Sequence, residues 1–123
     1  MDIIIHRRTH QIGGCVTEIK TDQGRIIIDF GSELPDKYGN IKPSKFKLDG
    51  INEGCPNCDA VLFTHYHDDH TGMINNILSD IPLYMGPAAK EIYLIYQNRI
   101  KGNIEVVKEL VPLQWVKNLI LKT

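Results

Sequence analysis

The chain has 123 residues and a mass of 14.0 kDa, with 42% hydrophobic and 24% charged residues, a composition typical of a globular chain with one modest core. Its formal net charge of −1 excludes a strong long-range field that would attract nucleic acid or an anionic membrane. No apolar run approaches the roughly 20 residues that span a bilayer, and no secretory signal is visible at Met1. Three cysteines, an odd number in a chain without an export signal, predict reduced thiols and a cytoplasmic protein with no membrane partner.

Three strands are predicted in the first thirty residues. Asp2–His6 is continuous in isoleucine, which indicates a buried strand. Cys15–Lys20 alternates as a half-buried strand does, and Arg25–Phe30 contains three isoleucines. Because the turn sequence Asp22-Gln23-Gly24 lies between these last two segments, they are expected to form a hairpin.

A long segment without periodicity follows, Ser32–Asn57, rich in Gly, Pro, Asn and Lys. It is too long for a simple connection, which makes a functional loop plausible. Basic residues alternate there with two aromatic residues, a pattern that can contact phosphates and stack on bases; a solvated loop is the alternative. The residues concerned are Lys37, Tyr38, Lys42, Lys45, Phe46 and Lys47.

Three of the five histidines fall within six positions, directly after the predicted strand Ala60–Phe63. Side chains alternate along an extended segment, so His65 and His67 point the same way and can chelate one ion. Asp69 and His70, at the entry to a helix, can face a second ion. Imidazole and carboxylate together suit Zn²⁺, Mn²⁺ or Fe²⁺, and two ions about 3.5–4 Å apart are the arrangement of two-metal hydrolases. The alternative is a chance polar cluster in a surface turn.

This motif resembles one found in a known superfamily. His65-x-His67-x-Asp69-His70 is similar to the HxHxDH motif of the metallo-β-lactamase-fold hydrolases. Gly13-Gly14, the hairpin and Ile28-Asp29-Phe30-Gly31 resemble the N-terminal opening of the same superfamily, especially of the J-type ribonucleases and related nucleases.

The resemblance implies roles for five side chains. The metal ligands would be His65, His67, Asp69 and His70, with Asp69 and His70 also catalytic, and Asp29 would orient the metal loop by hydrogen bonding rather than as a ligand. The cofactor would be two zinc ions, with manganese or iron as alternatives. The substrate would be nucleic acid or a small phosphodiester or ester. Without the resemblance, Asp29 reads as a turn residue that ends a strand.

The pair Cys55 and Cys58 offers a different class of site. With His65 and His70 it could form a Cys₂His₂ structural zinc module. Against this, Asp59–Phe63 separates the pairs with a hydrophobic strand that extends rather than folds back, and a closed zinc site gives no reason for Asp69.

The remainder of the chain predicts a helix, a strand and further helices without catalytic chemistry. Helical spacing is seen in Met73–Leu78, a short strand in Ile81–Met85, and a helix opened by Gly86-Pro87 that runs to Ile100 or Lys101. The stripe predicted for that helix consists of Ala88, Ala89, Ile92, Ile95, Tyr96 and Arg99-Ile100. Ile104–Val111 again has helical spacing, Pro112 interrupts it, and Leu113–Leu121 continues with Trp115.

The ligand set implied by the resemblance is incomplete. No histidine follows His70, and the spare residues His6 and His10 do not match a ligand position. The later carboxylates, which resemble no bridging motif, are Asp80, Glu91, Glu105 and Glu109. Residues 1–123 are therefore expected to form a single partial domain.

The resemblance implies an α+β fold class, the first half of a four-layer αββα sandwich. It would contain a mixed, mainly antiparallel sheet with helices on one face. The missing half would leave an apolar face open, which implies self-association or a missing C-terminal half. Two functions stay open: a metal-dependent hydrolase in a truncated form, active or inactive, or a non-catalytic metal-binding or interaction fragment.

Overall fold

The computed structural model describes residues 1–7, 12–42 and 44–113. The strands are β1 (Asp2–Arg7), β2 (Val16–Lys20), β3 (Arg25–Ile28), β4 (Ala60–Phe63), β5 (Leu83–Met85) and β6 (Val111–Pro112). The helices are α1 (Asp68–Thr71), α2 (Pro87–Arg99) and α3 (Glu105–Glu109), with one 3₁₀ turn at Ile74–Asn76. His10, and the predicted continuation beyond Leu113 with Trp115, lie outside the described residues.

The strands form one mixed sheet in sequence order, β1-β2-β3-β4-β5-β6. Antiparallel pairing joins β1, β2 and β3, and parallel pairing joins β3 to β4, β4 to β5 and β5 to β6. The mixed α+β architecture is confirmed. Antiparallel pairing is less dominant than expected, because every strand after the hairpin returns through a crossover connection, which makes neighbouring strands parallel.

The core lies on one face of the sheet. Ile27, Val61 and Met85 are fully buried there and belong to the same cluster as Tyr93 of α2 and Val107 of α3. The long loop also contributes, because Ile51 is fully buried in this cluster and Phe46 packs against it. Helices and loop together therefore cover this face and hold the β4 end that leads into the histidine motif.

The opposite face of the sheet is apolar and partly open. The cross-strand register aligns Ile5 with Thr17, Thr17 with Ile28, Ile28 with Leu62, and Leu62 with Tyr84. Ile5 is 56% exposed and its neighbour on the same face, Ile3, is 63% exposed. The expectation that Asp2–His6 would be buried is wrong, because β1 is an edge strand and nothing in the described chain covers its isoleucines.

Two helices predicted from the sequence are shorter in the structure. The helix expected over Met73–Leu78 is only the 3₁₀ turn, because the chain becomes helical earlier, at α1 within the motif itself. The helix expected over Ile104–Val111 stops at Glu109, where Val111 and Pro112 pair with β5 instead.

Helix α2 is confirmed at Pro87–Arg99, but it buries a different face from the predicted stripe. Tyr93 and Gln97 are buried, whereas Ile92, Ile95 and Tyr96 are 44%, 61% and 40% exposed. The helix therefore presents its most apolar stripe outward, a second exposed apolar surface on this chain.

Candidate metal centre

The histidine motif lies between β4 and α1. His67 has extended backbone dihedrals and directly precedes the first residue of α1. The Thr71 hydroxyl donates hydrogen bonds to the carbonyls of Tyr66 at 3.1 Å and His67 at 3.0 Å. This hydroxyl closes the turn, so the chain reverses direction within the motif and its side chains converge.

Three side chains from this turn meet. His65, Asp69 and His70 each offer one ligand atom, and these atoms all lie within 4.8 Å of one another. Asp69 Oδ2 is 3.4 Å from His70 Nε2, which is the separation of roughly 3.4 Å expected between oxygen and nitrogen ligands on one tetrahedral zinc ion. Two imidazoles and a carboxylate form a donor set that fits zinc, and also manganese or iron.

His67 stands outside this group. Its ring centroid is 4.8 Å from that of His65, and the side chain is exposed. The sequence paired His65 with His67 and Asp69 with His70, whereas the structure brings His65 to Asp69 and His70. The role of His67 as a ligand stays a prediction.

Asp29 lies directly behind the three donors. Its buried carboxylate accepts hydrogen bonds from His70 Nδ1 at 2.7 Å and from the Thr64 amide at 2.8 Å. Its backbone adopts the left-handed region with φ of 61°, an uncommon and strained conformation for a residue other than glycine. This strain at the end of β3 turns the carboxylate toward His70.

Sequence reasoning missed Thr64, whose hydroxyl links the His65 ring to Asp29, the residue that holds the His70 ring. Thr64 Oγ1 is 2.9 Å from Asp29 Oδ2 and 2.9 Å from His65 Nδ1. Since the carboxylate can only accept, the hydroxyl donates to Asp29 and accepts from His65 Nδ1. The Nδ1 atoms of His65 and His70 therefore both make hydrogen bonds behind the site. Nε2 is the atom that each ring can offer to a metal. A hydroxyl residue at the last position before the motif was the available signal.

Backbone hydrogen bonds join the segment around Phe30 to the histidine motif. The Phe30 amide donates to the His70 carbonyl at 2.9 Å, and the Ser32 amide donates to the Asp68 carbonyl at 2.9 Å. Gly31 lies between them, and a Cβ at this position would collide with the Asp69 carbonyl. Only glycine at position 31 therefore permits the two backbone segments to approach this closely, which explains why a glycine follows Phe30.

Electrostatics favour the neutral form of one ligand. Partial burial, together with the nearby His70 and His67 rings, holds the pKa of His65 below its usual value. A histidine whose pKa is lowered stays neutral near pH 7, and the neutral imidazole is the form that binds metal.

The Cys₂His₂ alternative is not supported by the arrangement of the thiols. Cys58 Sγ donates to the carbonyls of Arg25 and Ala60 at 3.4 and 3.2 Å, and Cys55 is exposed. Cys58 and His65 flank β4 at opposite ends, on the order of 20 Å apart along an extended chain. Among the described residues, no cysteine joins the three-donor group.

The lysine-containing loop between β3 and β4, Ser32–Asn57, has one exposed aromatic side chain. Tyr38 is 76% exposed with the Lys37 ammonium 4.9 Å from its ring centroid. Phe46 instead packs on Phe30, with ring centroids 5.9 Å apart. Lys37, Lys42, Lys45 and Lys47 are all exposed, so Tyr38 is the one of the two loop aromatics that could stack on a base.

The chain is similar in sequence to archaeal transcription termination factors. It is 28% identical over 97 residues to transcription termination factor FttA of Thermococcus kodakarensis, and 28% identical over the same length to FttA of Pyrococcus abyssi. Each alignment covers 71% of this chain but only 14% of the relative. No known protein-family profile matches.

The fold is similar to that of a solved structure, a protein of unknown function from Enterococcus faecalis. The TM-score is 0.65 at 21% identity, over 91% of this chain and 33% of the other. The chain thus spans a third or less of the proteins it matches. In the described residues, no helix is both long and apolar enough to cross a membrane.

Proposed function

We propose that this chain carries the metal-binding part of a metal-dependent hydrolase that cleaves phosphodiesters, with nucleic acid as the substrate class. The observation that carries the proposal is the convergence of His65, Asp69 and His70 on one point, with Asp29 hydrogen-bonded behind His70. Such a donor set, oriented by a buried carboxylate, is how catalytic metal sites are built.

The residues divide into donors and positioning groups. His65 and His70 would donate through Nε2 and Asp69 through its carboxylate, and Asp29 with Thr64 would hold both rings. A bound divalent ion would supply Lewis-acid chemistry, lowering the pKa of water and neutralising charge that develops on the phosphoryl oxygens. Asp69 and His70, which face each other at 3.4 Å, are the proposed catalytic pair because they would contact that ion next to the reacting atoms.

Two features support nucleic acid as the substrate class. The relatives are named as transcription termination factors, and transcription produces RNA. The loop between β3 and β4 exposes Tyr38 with Lys37 over its ring, and Lys42 and Lys45 are exposed elsewhere in the same loop. The loop thus combines positive charge for phosphates with a ring for stacking.

A second candidate function is non-catalytic metal binding. Its support is that the described chain brings only three donors within 4.8 Å, whereas a two-metal site needs more. No histidine follows His70 in the sequence. The later carboxylates are all exposed and outside the donor group, namely Asp80, Glu91, Glu105 and Glu109.

Metal binding and turnover measured on the same samples separate the two. We expect calorimetry to show zinc or manganese binding that is lost in His70→Ala and Asp69→Asn. Asp68→Asn is the matched control, because Asp68 adjoins the group without belonging to it. Hydrolysis of bis-p-nitrophenyl phosphate that follows metal occupancy supports the hydrolase. Binding without turnover supports the non-catalytic function, and absence of binding overturns both.

A further inference from the structure

Strand β1 is an edge of the sheet that is open to a further strand. Its isoleucines Ile3, Ile4 and Ile5 are 63%, 40% and 56% exposed. The opposite edge, β6, has two residues and includes Pro112, and both short length and proline hinder an edge strand from pairing with another chain. Strand β1 has six residues without proline or lysine, so it lacks these protections.

The hairpin shows which residues of β2 direct their backbone groups toward β1. The Thr21 amide donates to the Gly24 carbonyl across the turn at 2.8 Å, so Thr21 directs its backbone groups to the β3 side. Along an antiparallel strand these directions alternate from residue to residue. Lys20 and Glu18 therefore direct their amides and carbonyls toward β1.

Ile3 and Ile5 carry the outward-directed backbone groups of β1. The residues of β1 that are aligned with Lys20 and Glu18 are Asp2 and Ile4, so the amides and carbonyls of that pair face β2. The same alternation turns the amides and carbonyls of Ile3 and Ile5 away from the sheet. Such a row of groups is a template for one more strand.

We propose that β1 pairs with β1 of a second copy of this chain, antiparallel and about a two-fold axis at Ile4. Such a contact is self-complementary, as a two-fold dimer requires. With the axis at Ile4, Ile3 of each copy lies opposite Ile5 of the other, and these two pairs exchange four backbone hydrogen bonds. An axis at Ile3 or Ile5 would pair that residue with its own copy and leave the other without a partner within β1.

The side chains fit the same axis. Ile3 and Ile5 face the open side of the sheet, and the axis is perpendicular to the sheet, so the dimer brings four isoleucines together there and removes them from water. On the covered side, where His6 lies near Phe46, the axis places Asp2 opposite His6 of the second copy, an acidic group against a basic one. This match favours a second copy over an unrelated strand as the partner.

Proline at position 5 tests the pairing by removing one outward-directed amide. Proline is tolerated at an edge position whose N–H faces solvent. We expect sedimentation velocity to show a concentration-dependent dimer for the full chain and a monomer for Ile5→Pro, with an unchanged circular dichroism spectrum. Ile5→Val is the matched control and should dimerise as the parent chain does, because valine keeps both the amide and a branched apolar side chain.

Cysteine cross-linking tests the position of the axis. Ile4 would face its own copy in a non-hydrogen-bonded pair with Cα atoms about 4.5 Å apart, within the roughly 4.4–6.8 Å that a disulfide spans. The two copies of Ile3 would be roughly 8–9 Å apart, because they are offset by two residues along the strands.

The cross-linking is done in the Cys55→Ser background, which removes the exposed native thiol. Oxidised glutathione should give a covalent dimer of Ile4→Cys and far less of Ile3→Cys, although Ile3 is the more exposed of the two positions. Random collision would favour the more exposed thiol, so the order of the two yields reports the register.

The outcomes are separate from those of the proposed function. A chain that is monomeric at every concentration tested would overturn the pairing. A dimer that persists in folded Ile5→Pro, or equal cross-linking of Ile3→Cys and Ile4→Cys, would also overturn it. If Ile5→Pro does not fold, the two cysteine variants still decide. Because the contact lies outside the three-donor group, the metal-binding experiment tests the proposed function independently.

Discussion

Asp29 accepts a hydrogen bond from His70 at 2.7 Å, although the two residues lie 41 positions apart. This contact joins the end of β3 to the first turn of α1. It also engages Nδ1 of the ring, which leaves Nε2 directed toward Asp69. The orientation of the candidate site therefore depends on a residue outside the three-donor group.

Asp29→Asn should weaken zinc binding about 10- to 100-fold, because an amide cannot accept from both Thr64 and His70 as a carboxylate does. Asparagine tolerates the left-handed backbone, so the fold should persist. Calorimetric titration with zinc measures the change, with Asp59→Asn as a control at the opposite end of β4. Equal affinity in Asp29→Asn and the parent chain would contradict the orienting role.

Gly31→Ala should destabilise the chain by about 1–3 kcal/mol, because the added Cβ meets the Asp69 carbonyl. Urea unfolding measures this loss, and zinc titration should show weaker binding in the same variant. Gly86→Ala is the matched control, since nothing lies within 4 Å of a Cβ there. If Gly31→Ala has the same urea midpoint and the same zinc affinity as Gly86→Ala, the close approach of the two backbone segments does not matter.

Stability should fall in acid because of Glu18. Burial alone would raise the pKa of Glu18, but hydrogen bonds from Arg25 and His6 outweigh it, so the pKa lies below its ordinary value. A depressed carboxyl pKa stabilises the fold above the unfolded pKa of about 4.3, and this contribution is lost as the pH falls through the folded value.

Urea midpoints for Glu18→Gln and its parent should therefore differ at pH 7 and converge as the pH drops below about 4. At neutral pH the variant should lose about 2 kcal/mol, the scale of a hydrogen bond to a charged group. Glu53→Gln is the control at neutral pH, because the partner of Glu53, Lys47, is an exposed side chain and such a surface pair adds little to the free energy of unfolding. A pH-independent difference for Glu18→Gln would show that its charge is irrelevant.

The open face of the sheet should cause self-association. Ile3 and Ile5 are 63% and 56% exposed on β1, and an exposed apolar face favours a contact that removes it from water. Ile3→Glu/Ile5→Glu should shift sedimentation velocity profiles toward the monomer. Ile41→Glu, at a loop position that is 69% exposed, is the control and should leave the distribution unchanged. An identical distribution in both variants would exclude this face as the contact.

Tyr38→Ala should weaken binding of short single-stranded RNA about 5- to 150-fold, because stacking of one base on a ring contributes roughly 1–3 kcal/mol. Fluorescence anisotropy at fixed salt measures the affinity. The control is Tyr96→Ala, a tyrosine that is 40% exposed on α2. Equal effects of the two substitutions would place the RNA elsewhere.

The local features of the chain could be predicted from sequence because they depend on short-range pattern. The alternation in Cys15–Lys20, the apolar run before the motif and the proline at the start of α2 each dictate an element by themselves, and the cluster of His65, His67, Asp69 and His70 predicts a metal site. These signals act over a few residues, where backbone geometry alone decides which side chains share a face.

Long-range placement was decided only by the tertiary structure. Sequence pattern predicted a buried β1, but burial requires a covering layer, and the described chain places its helices and loop on the other face. The pattern also paired His65 with His67, whereas the turn closed by Thr71 carries His65 to Asp69 and His70. The role of Thr64 could not be predicted from its one signal, a hydroxyl residue directly before the motif, because its contact with Asp29 exists only once β3 and β4 are paired. Which residues meet across 41 positions is a property of strand pairing, and no local periodicity encodes it.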